Sequence, residues 1–336
     1  MRSVTFLIQD PQVHSGGGPA RTFPALEFVL RRGAIVPQPQ SEIVSWLCSR
    51  FGLAREPDWP VAPLLARAAG FASAYPVWLC ADPVHIDMDS VRPTVVGAPA
   101  LSMCETESRD MVASLDSHFR DRALRLFALD RNRWLVNTML SARINTQPLP
   151  RTPDIVEPVL ASGVDATRWN AFLTEAQMLL HMHPANMARQ AGGKPAVNSV
   201  HLWGGGTEPQ PQAIDALVAS DDPLTLALAA ESSATSVATA GEMLDRMSSR
   251  ADTSALVVRQ HAGEATDAAA NALLAVDHDW LAPALDALRA RRIDRLDVVV
   301  PQAQKLVGHS VGHTALARFW MALQPLARHF AKAQTQ

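Results

Sequence analysis

In "HMHPANMARQAGGKPAVNSVHLWGGGTEP", residues 181–209, three histidines, Arg189, Lys194 and two glycine clusters lie close together. Imidazoles can hold a divalent metal, and the backbone N–H groups of a glycine turn, beside a guanidinium, can grip an anion. Gly204, Gly205 and Gly206 directly follow a β-rich run, the placement that such an anion contact requires. The run is not a known phosphate fingerprint, because no GK[ST] follows and the spacing is not GxGxxG. A strand ending in a tight turn, where glycine permits positive φ, accounts for these glycines by themselves.

Upstream, "LCADPVHIDMDS" offers a second set: Asp82, His85, Asp87 and Asp89. In an extended segment the last three leave the same face, and an imidazole with carboxylates can hold an ion or run acid–base chemistry. A polar strand edge with a turn is the plain alternative. His309 and His313 are four apart, a spacing that shares a metal on a helix, but Gly308 and Gly312 make that helix poor and there is no HExxH. Asp277, His278 and Asp279 are consecutive, so one face cannot gather them, and they read as a solvated patch. A GxSxG elbow is absent, and no cysteine–histidine pair can be placed.

These residues must be positioned by helices and strands, and the pattern is readable. At 100° per residue, Trp169, Phe172, Leu173, Ala176, Leu179, Leu180 and His183 share one helical face, which Pro184 then ends. His181 points about 200° away on that wheel. The two histidines therefore cannot ligate one metal from a regular helix. Short apolar runs predict strands at Ser3–Ile8, Pro76–Cys80, Asn198–Trp203, Ser254–Val258 and Leu296–Val300. Helical segments are predicted at Ala25–Arg32, Ser41–Arg50, Ser108–Arg122, Asp165–His181, Pro211–Ala219, Glu264–Ala275, Leu281–Arg291 and Thr314–Phe330. Strands alternating with helices predict an α/β protein with a mainly parallel sheet flanked by helices.

The 336 residues exceed the size at which one core keeps growing, so a second lobe or domain is expected. With 48% hydrophobic and 19% charged residues the chain reads as compact rather than disordered. A net charge of −3 and a single tyrosine argue against nucleic acid or an anionic membrane as partner. No apolar run reaches the length of a membrane span, and the amino terminus lacks a signal segment. Three widely spaced cysteines, Cys48, Cys80 and Cys104, suit a reducing compartment, so a cytoplasmic location is expected.

The stretch "FLTEAQMLLHMHPANMARQAGGKPAVNSVHLWGGG", with "LCADPVHIDMD" and "RFW" at Arg318–Trp320, resembles the RpfE-type bacterial regulatory proteins over most of the chain. That group resembles the archaeal-type cofactor-independent phosphoglycerate mutases, chiefly from Asp165 to Pro209. "TFPALEFVLRRGA" is similar to the helix after the first strand in alkaline-phosphatase-type folds. The resemblance implies an alkaline-phosphatase-like core over 1–75 and 190–336, with a smaller α+β lobe over 76–189. It implies that Asn186, Arg189, Asn198, Trp203, Gly204 and Gly206 carry the shared motif, with Arg189 as the anion contact.

The departures from the mutase pattern weigh more. Those enzymes use two metals held by Asp and His, and a serine that becomes phosphorylated. Here Asp10 stands where the first metal-binding Asp would be, but the usual Asp-Gly is missing. No segment between Gly33 and Tyr75 matches the serine, "LDVVVPQAQ" replaces a strand ending in Asp-His, and only His261 is left in "VVRQHAGEATD". The expectation is a non-catalytic regulatory or ligand-sensing protein, without metal or cofactor, that binds a small phosphorylated or carboxylated ligand. Two alternatives stand beside it. One is an active phosphomutase or phosphatase built on Asp10, Asp82, His85, Asp87 and Asp89; the other is a protein-interaction scaffold with no small-molecule site.

Overall fold

The computed structural model describes residues 1–9, 21–87, 94–98, 100–149, 161–250, 252–259, 266–302 and 305–316. In chain order the elements begin with β1 (Ser3–Ile8), α1 (Pro24–Arg32), β2 (Ala34–Pro37) and α2 (Ile43–Arg50). There follow α3 (Val61–Ala68), β3 (Val77–Asp87), β4 (Thr94–Val96), α4 (Glu105–Phe119), β5 (Leu124–Asp130) and β6 (Arg133–Thr138). Next come α5 (Ala166–His181), α6 (Pro184–Ala191) and β7 (Ser199–Gly206). The last are β8 (Ala216–Ser220), α7 (Pro223–Glu231), β9 (Thr235–Ser236), α8 (Ala240–Ser248), β10 (Ser254–Arg259), α9 (Thr266–Val276), α10 (Ala282–Arg289), β11 (Arg295–Gln302), β12 (Lys305–Gly312) and α11 (His313–Leu316).

The chain forms two compact units, one of Met1–Gly52 with Pro211–Gln336 and one of Leu53–Gln210. The first holds a seven-stranded sheet in the order β2-β12-β11-β1-β10-β8-β9. Its strands run parallel from β11 to β9, while β12 and β2 add antiparallel at one edge. Every residue of β1 is buried, as a strand covered on both faces requires. Val4, Phe6 and Ile8 face a core built with α1, α8 and α10, so Thr5, Leu7 and Gln9 look to the opposite face. The carboxylate of Asp277, from a π-helical turn after α9, accepts the N–H groups of Ala25 and Leu26 at the start of α1. Asp277 therefore anchors a helix end, which corrects its reading as part of a solvated patch. Burial raises its pKa against those two hydrogen bonds.

The second unit has an antiparallel sheet in the order β4-β3-β6-β5, with β7 also on β3. Its own core gathers Trp134, Phe119, Phe172 and Trp169, with Phe119 and Phe172 ring centroids 4.8 Å apart. The unit is wider than the lobe expected over 76–189. The physical reason is β7, whose register with β3 from Val84↔Ser199 to Trp78↔Gly206 ties residues 199–206 to this sheet. The strand expected at Asn198–Trp203 is thus antiparallel and lies outside the parallel sheet. Among the described residues no helix is long and apolar enough to cross a membrane.

Candidate functional site

The crossover from α5 through α6 to β7 carries the residues expected to bind an anion. Pro184 ends α5 and starts α6, and His183 becomes the cap between them: its Nδ1 accepts the Ala185 N–H at 3.2 Å. With Nδ1 as acceptor, the proton of a neutral ring sits on Nε2, which lies 3.0 Å from Ser114 Oγ. The imidazole donates to that hydroxyl and cannot act as its base, so the pair is not a nucleophile with its activator.

Asn186 is buried, and its side chain is spent on the chain itself. Nδ2 donates to the carbonyls of Leu180 and Val197, both at 2.7 Å, and Oδ1 accepts the Val197 N–H at 2.8 Å. Arg189 is 1% exposed. Its Nε donates to Pro195 O at 2.9 Å, Nη2 to Leu101 O, and Nη1 to Glu107 Oε2 at 2.9 Å. Glu107 also closes a capping box on α4 through the Cys104 N–H. Burial would raise its pKa, but the Cys104 N–H and the Arg189 charge hold it below the usual range. Arg189, expected as an anion contact, is paired in this structure with the internal carboxylate of Glu107 and is closed to solvent.

Asn198 pairs its amide with both backbone groups of Ile86, at 2.7 and 2.9 Å, extending the β3–β7 ladder by a side chain. Trp203 is buried, and its Nε1–H donates to Asp82 Oδ2 at 2.8 Å. Asp82 takes a two-pronged contact from Arg133, Nε at 3.0 Å and Nη2 at 3.2 Å, and that guanidinium lies 4.9 Å from the Trp203 ring centroid. Gly204 has φ +65°, and a Cβ there would stand 3.0 Å from Val61 Cβ. Its N–H is held by buried Asp58, which also accepts Trp59 N–H and Thr146 Oγ1–H. A Cβ on Gly206 would meet Pro60 at 2.8 Å. The glycines sit where the β3–β7 register shifts, so they serve a bulge packed against the start of α3.

The second candidate set does not converge. Asp82 belongs to Arg133 and Trp203, while His85 Nδ1–H donates to Ala196 O at 2.8 Å. The two are three residues apart on β3 and so face opposite ways. Asp87 shares the His85 face at the strand end, and Asp10 and Asp89 lie outside the described residues. Among the described residues, no three His, Cys, Asp or Glu side chains are placed to hold a metal. His201 Nε2–H donates to Gln147 O at 2.6 Å, and burial lowers its pKa despite that carbonyl. His309 is buried on β12 and His313 opens α11, so their helical spacing never forms.

No family model and no curated protein matches the chain. Among solved structures the chain is similar to a cofactor-independent phosphoglycerate mutase from Thermoplasma acidophilum DSM 1728. That likeness has 13% identity and a TM-score of 0.43, over 97% of this chain and 94% of that one. A second similar structure is the PH0037 protein from Pyrococcus horikoshii, at 15% identity and a TM-score of 0.49, over 92% of this chain and 87% of that one.

Sequence reasoning passed over Gln9. It follows the last residue of β1, in the middle of the parallel strands, and is 4% exposed. Neither its Oε1 nor its Nε2 has a hydrogen-bond partner among the described residues. A buried amide left in this state costs free energy unless something supplies the missing bonds. At the same edge Arg259 ends β10 in register with Ile8, its Nη1 3.5 Å from Asp221 and its Cζ 4.7 Å from the Trp280 ring centroid. The signal for Gln9 in the sequence was its position alone, a polar residue closing an apolar strand.

Proposed function

We propose that this chain is a non-catalytic, phosphomutase-like regulatory or ligand-sensing protein that takes a small anionic ligand at the carboxyl edge of the parallel sheet. The observation that carries this reading is the buried amide of Gln9, which has no hydrogen-bond partner among the described residues. Sheets of this kind bind ligands outside the carboxyl ends of their strands, which is where Gln9 stands. A carboxamide donates one bond and accepts another without changing charge, which suits recognition rather than proton transfer. Arg259 supplies a cation at the same edge, partly offset by Asp221. An alkaline-phosphatase-like core of RpfE type is consistent with a mainly parallel sheet interrupted in sequence by an α+β unit. Asn186, Arg189, Asn198, Trp203, Gly204 and Gly206 then hold the second unit together instead of holding the ligand.

A thermal-shift titration with 3-phosphoglycerate and related carboxylic acids tests the reading, since a ligand that binds only the folded state raises its stability. The expected result is a saturable rise in the melting temperature of the wild type. Gln9→Leu should lose that rise while melting no lower than wild type without ligand, because it removes two buried polar atoms that have no partner among the described residues. No shift in the wild type, or an equal shift in Gln9→Leu, overturns the proposal. Phosphoryl transfer that stops on chelation would instead favour the enzyme reading.

One observation favours the scaffold reading. Met178, Met182 and Met187 are 67%, 73% and 63% exposed along α5 and α6. Flexible thioether side chains of this kind suit a protein-binding surface.

A further inference from the structure

Arg50 closes α2 in the first unit; its side chain is exposed, and its charge has no close carboxylate among the described residues. Nη2 donates to Thr5 Oγ1 at 3.4 Å, and Cζ lies 5.8 Å from the Trp46 ring centroid. A guanidinium has five N–H donors, so most of its capacity is open. Asp297, aligned with Thr5 on β11, acts on it through space but is bonded to Arg295 Nε at 2.9 Å. Partial desolvation by the neighbouring sheet lowers the Arg50 pKa, with Asp297 opposing that change.

Beside Arg50 lies a cavity of about 240 Å³. Its floor is two successive rungs of the β8–β10 ladder, Ala216 with Ser254 and Val218 with Leu256, all on one face of the sheet. Ala216 and Ser254 are too short to fill the space over their rung, and Phe51 and Ile214 wall it. Asp215 also reaches the lining, but its Oδ1 is engaged by Arg250 Nη1 at 3.3 Å. For scale, an engineered apolar cavity of roughly 150 Å³ holds a benzene molecule.

We propose that this cavity binds a small carboxylic acid with a compact apolar body, the carboxylate on the Arg50 guanidinium and the body over Val218 and Leu256. A guanidinium fork fits a planar carboxylate in two-pronged fashion. The lining brings one cation and an acidic neighbour, which suits a monoanion and disfavours a phosphate dianion. The site is at the amino ends of β8 and β10, so it is separate from the carboxyl edge that carries Gln9.

Calorimetric titration of the full chain with benzoate tests the assignment, with benzamide as a neutral shape control and inorganic phosphate as a charge control. Benzoate should bind saturably at one site, with benzamide and phosphate at least tenfold weaker. Arg50→Gln should weaken benzoate at least tenfold, and Ser254→Leu, which fills the floor, should abolish binding while the melting curve stays cooperative. If Ser254→Leu does not fold, Ala216→Val takes its place as the volume test. Gln9→Leu should leave benzoate binding unchanged, which separates this site from the carboxyl edge. Absence of saturable binding, equal binding of benzamide, or indifference to Arg50→Gln overturns the proposal.

Discussion

Arg189 shows how a residue suited to ligand binding can be used up by the fold. A guanidinium kept from water needs an anion and several acceptors, and Glu107, Leu101 and Pro195 provide them. Arg189→Ala would leave a carboxylate and two carbonyls without their donor. The expected loss is about 3 kcal/mol, the lower end of the range for breaking a buried pair, because Glu107 keeps some access to water. Chemical denaturation of the variant checks this, and an unchanged midpoint would refute the structural role. Asp116 sets a pH dependence at the same scale. Burial pushes its pKa up, but hydrogen bonds from Arg125, Arg120 and the Leu126 N–H lower it overall. A folded-state pKa below the unfolded one stabilises the protein above the ordinary Asp range of about 4, and that contribution is lost as pH falls through the depressed value. The denaturation midpoint should therefore drop between about pH 5 and pH 3, and Asp116→Asn should flatten that acid limb.

Among the elements, the α5–α6 junction depends on an unusual cap. Histidine caps a helix only while Nδ1 carries a lone pair, so His183 must stay neutral to hold the Ala185 N–H. His183→Ala should cost about 1 kcal/mol, the typical value of a lost N-cap, and His183→Asn should keep most of it. Equal stability of the two variants would show that the cap is idle. The β3–β7 pairing is the other decisive element. Its bulge needs positive φ at Gly204 and close approach at Gly206, and Asp58 fixes the bulge by taking the Gly204 N–H. That anchor sits 146 residues earlier in the chain, so local pattern does not announce it.

On the scale of the whole molecule, residues 53–210 form a contiguous unit with their own sheet and core. A chain segment with these properties is expected to fold alone. The excised fragment Leu53–Gln210 should give a cooperative melt and native-like circular dichroism, and a non-cooperative melt would sink this expectation. Excision at 76–189 should fail, because it removes β7, which pairs with β3 along most of that strand.

Much of this was legible without tertiary information. The apolar run at Ser3–Ile8 reads as a strand covered on both faces, and all of its residues are buried. The helical wheel of α5 places Trp169, Phe172, Leu173, Ala176 and Leu180 on one face, and these are its buried residues. Pro184 was expected to end that helix, and it does. Period and punctuation are local, so sequence alone determines them. What each polar group binds is set by residues far away in the chain. Only the tertiary structure decided that Arg189 belongs to Glu107, that Trp203 and Arg133 share Asp82, and that the Gln9 amide is buried with no partner among the described residues. The reason is physical. A buried donor must find an acceptor wherever the fold brings one, and that partner can come from anywhere in the sequence.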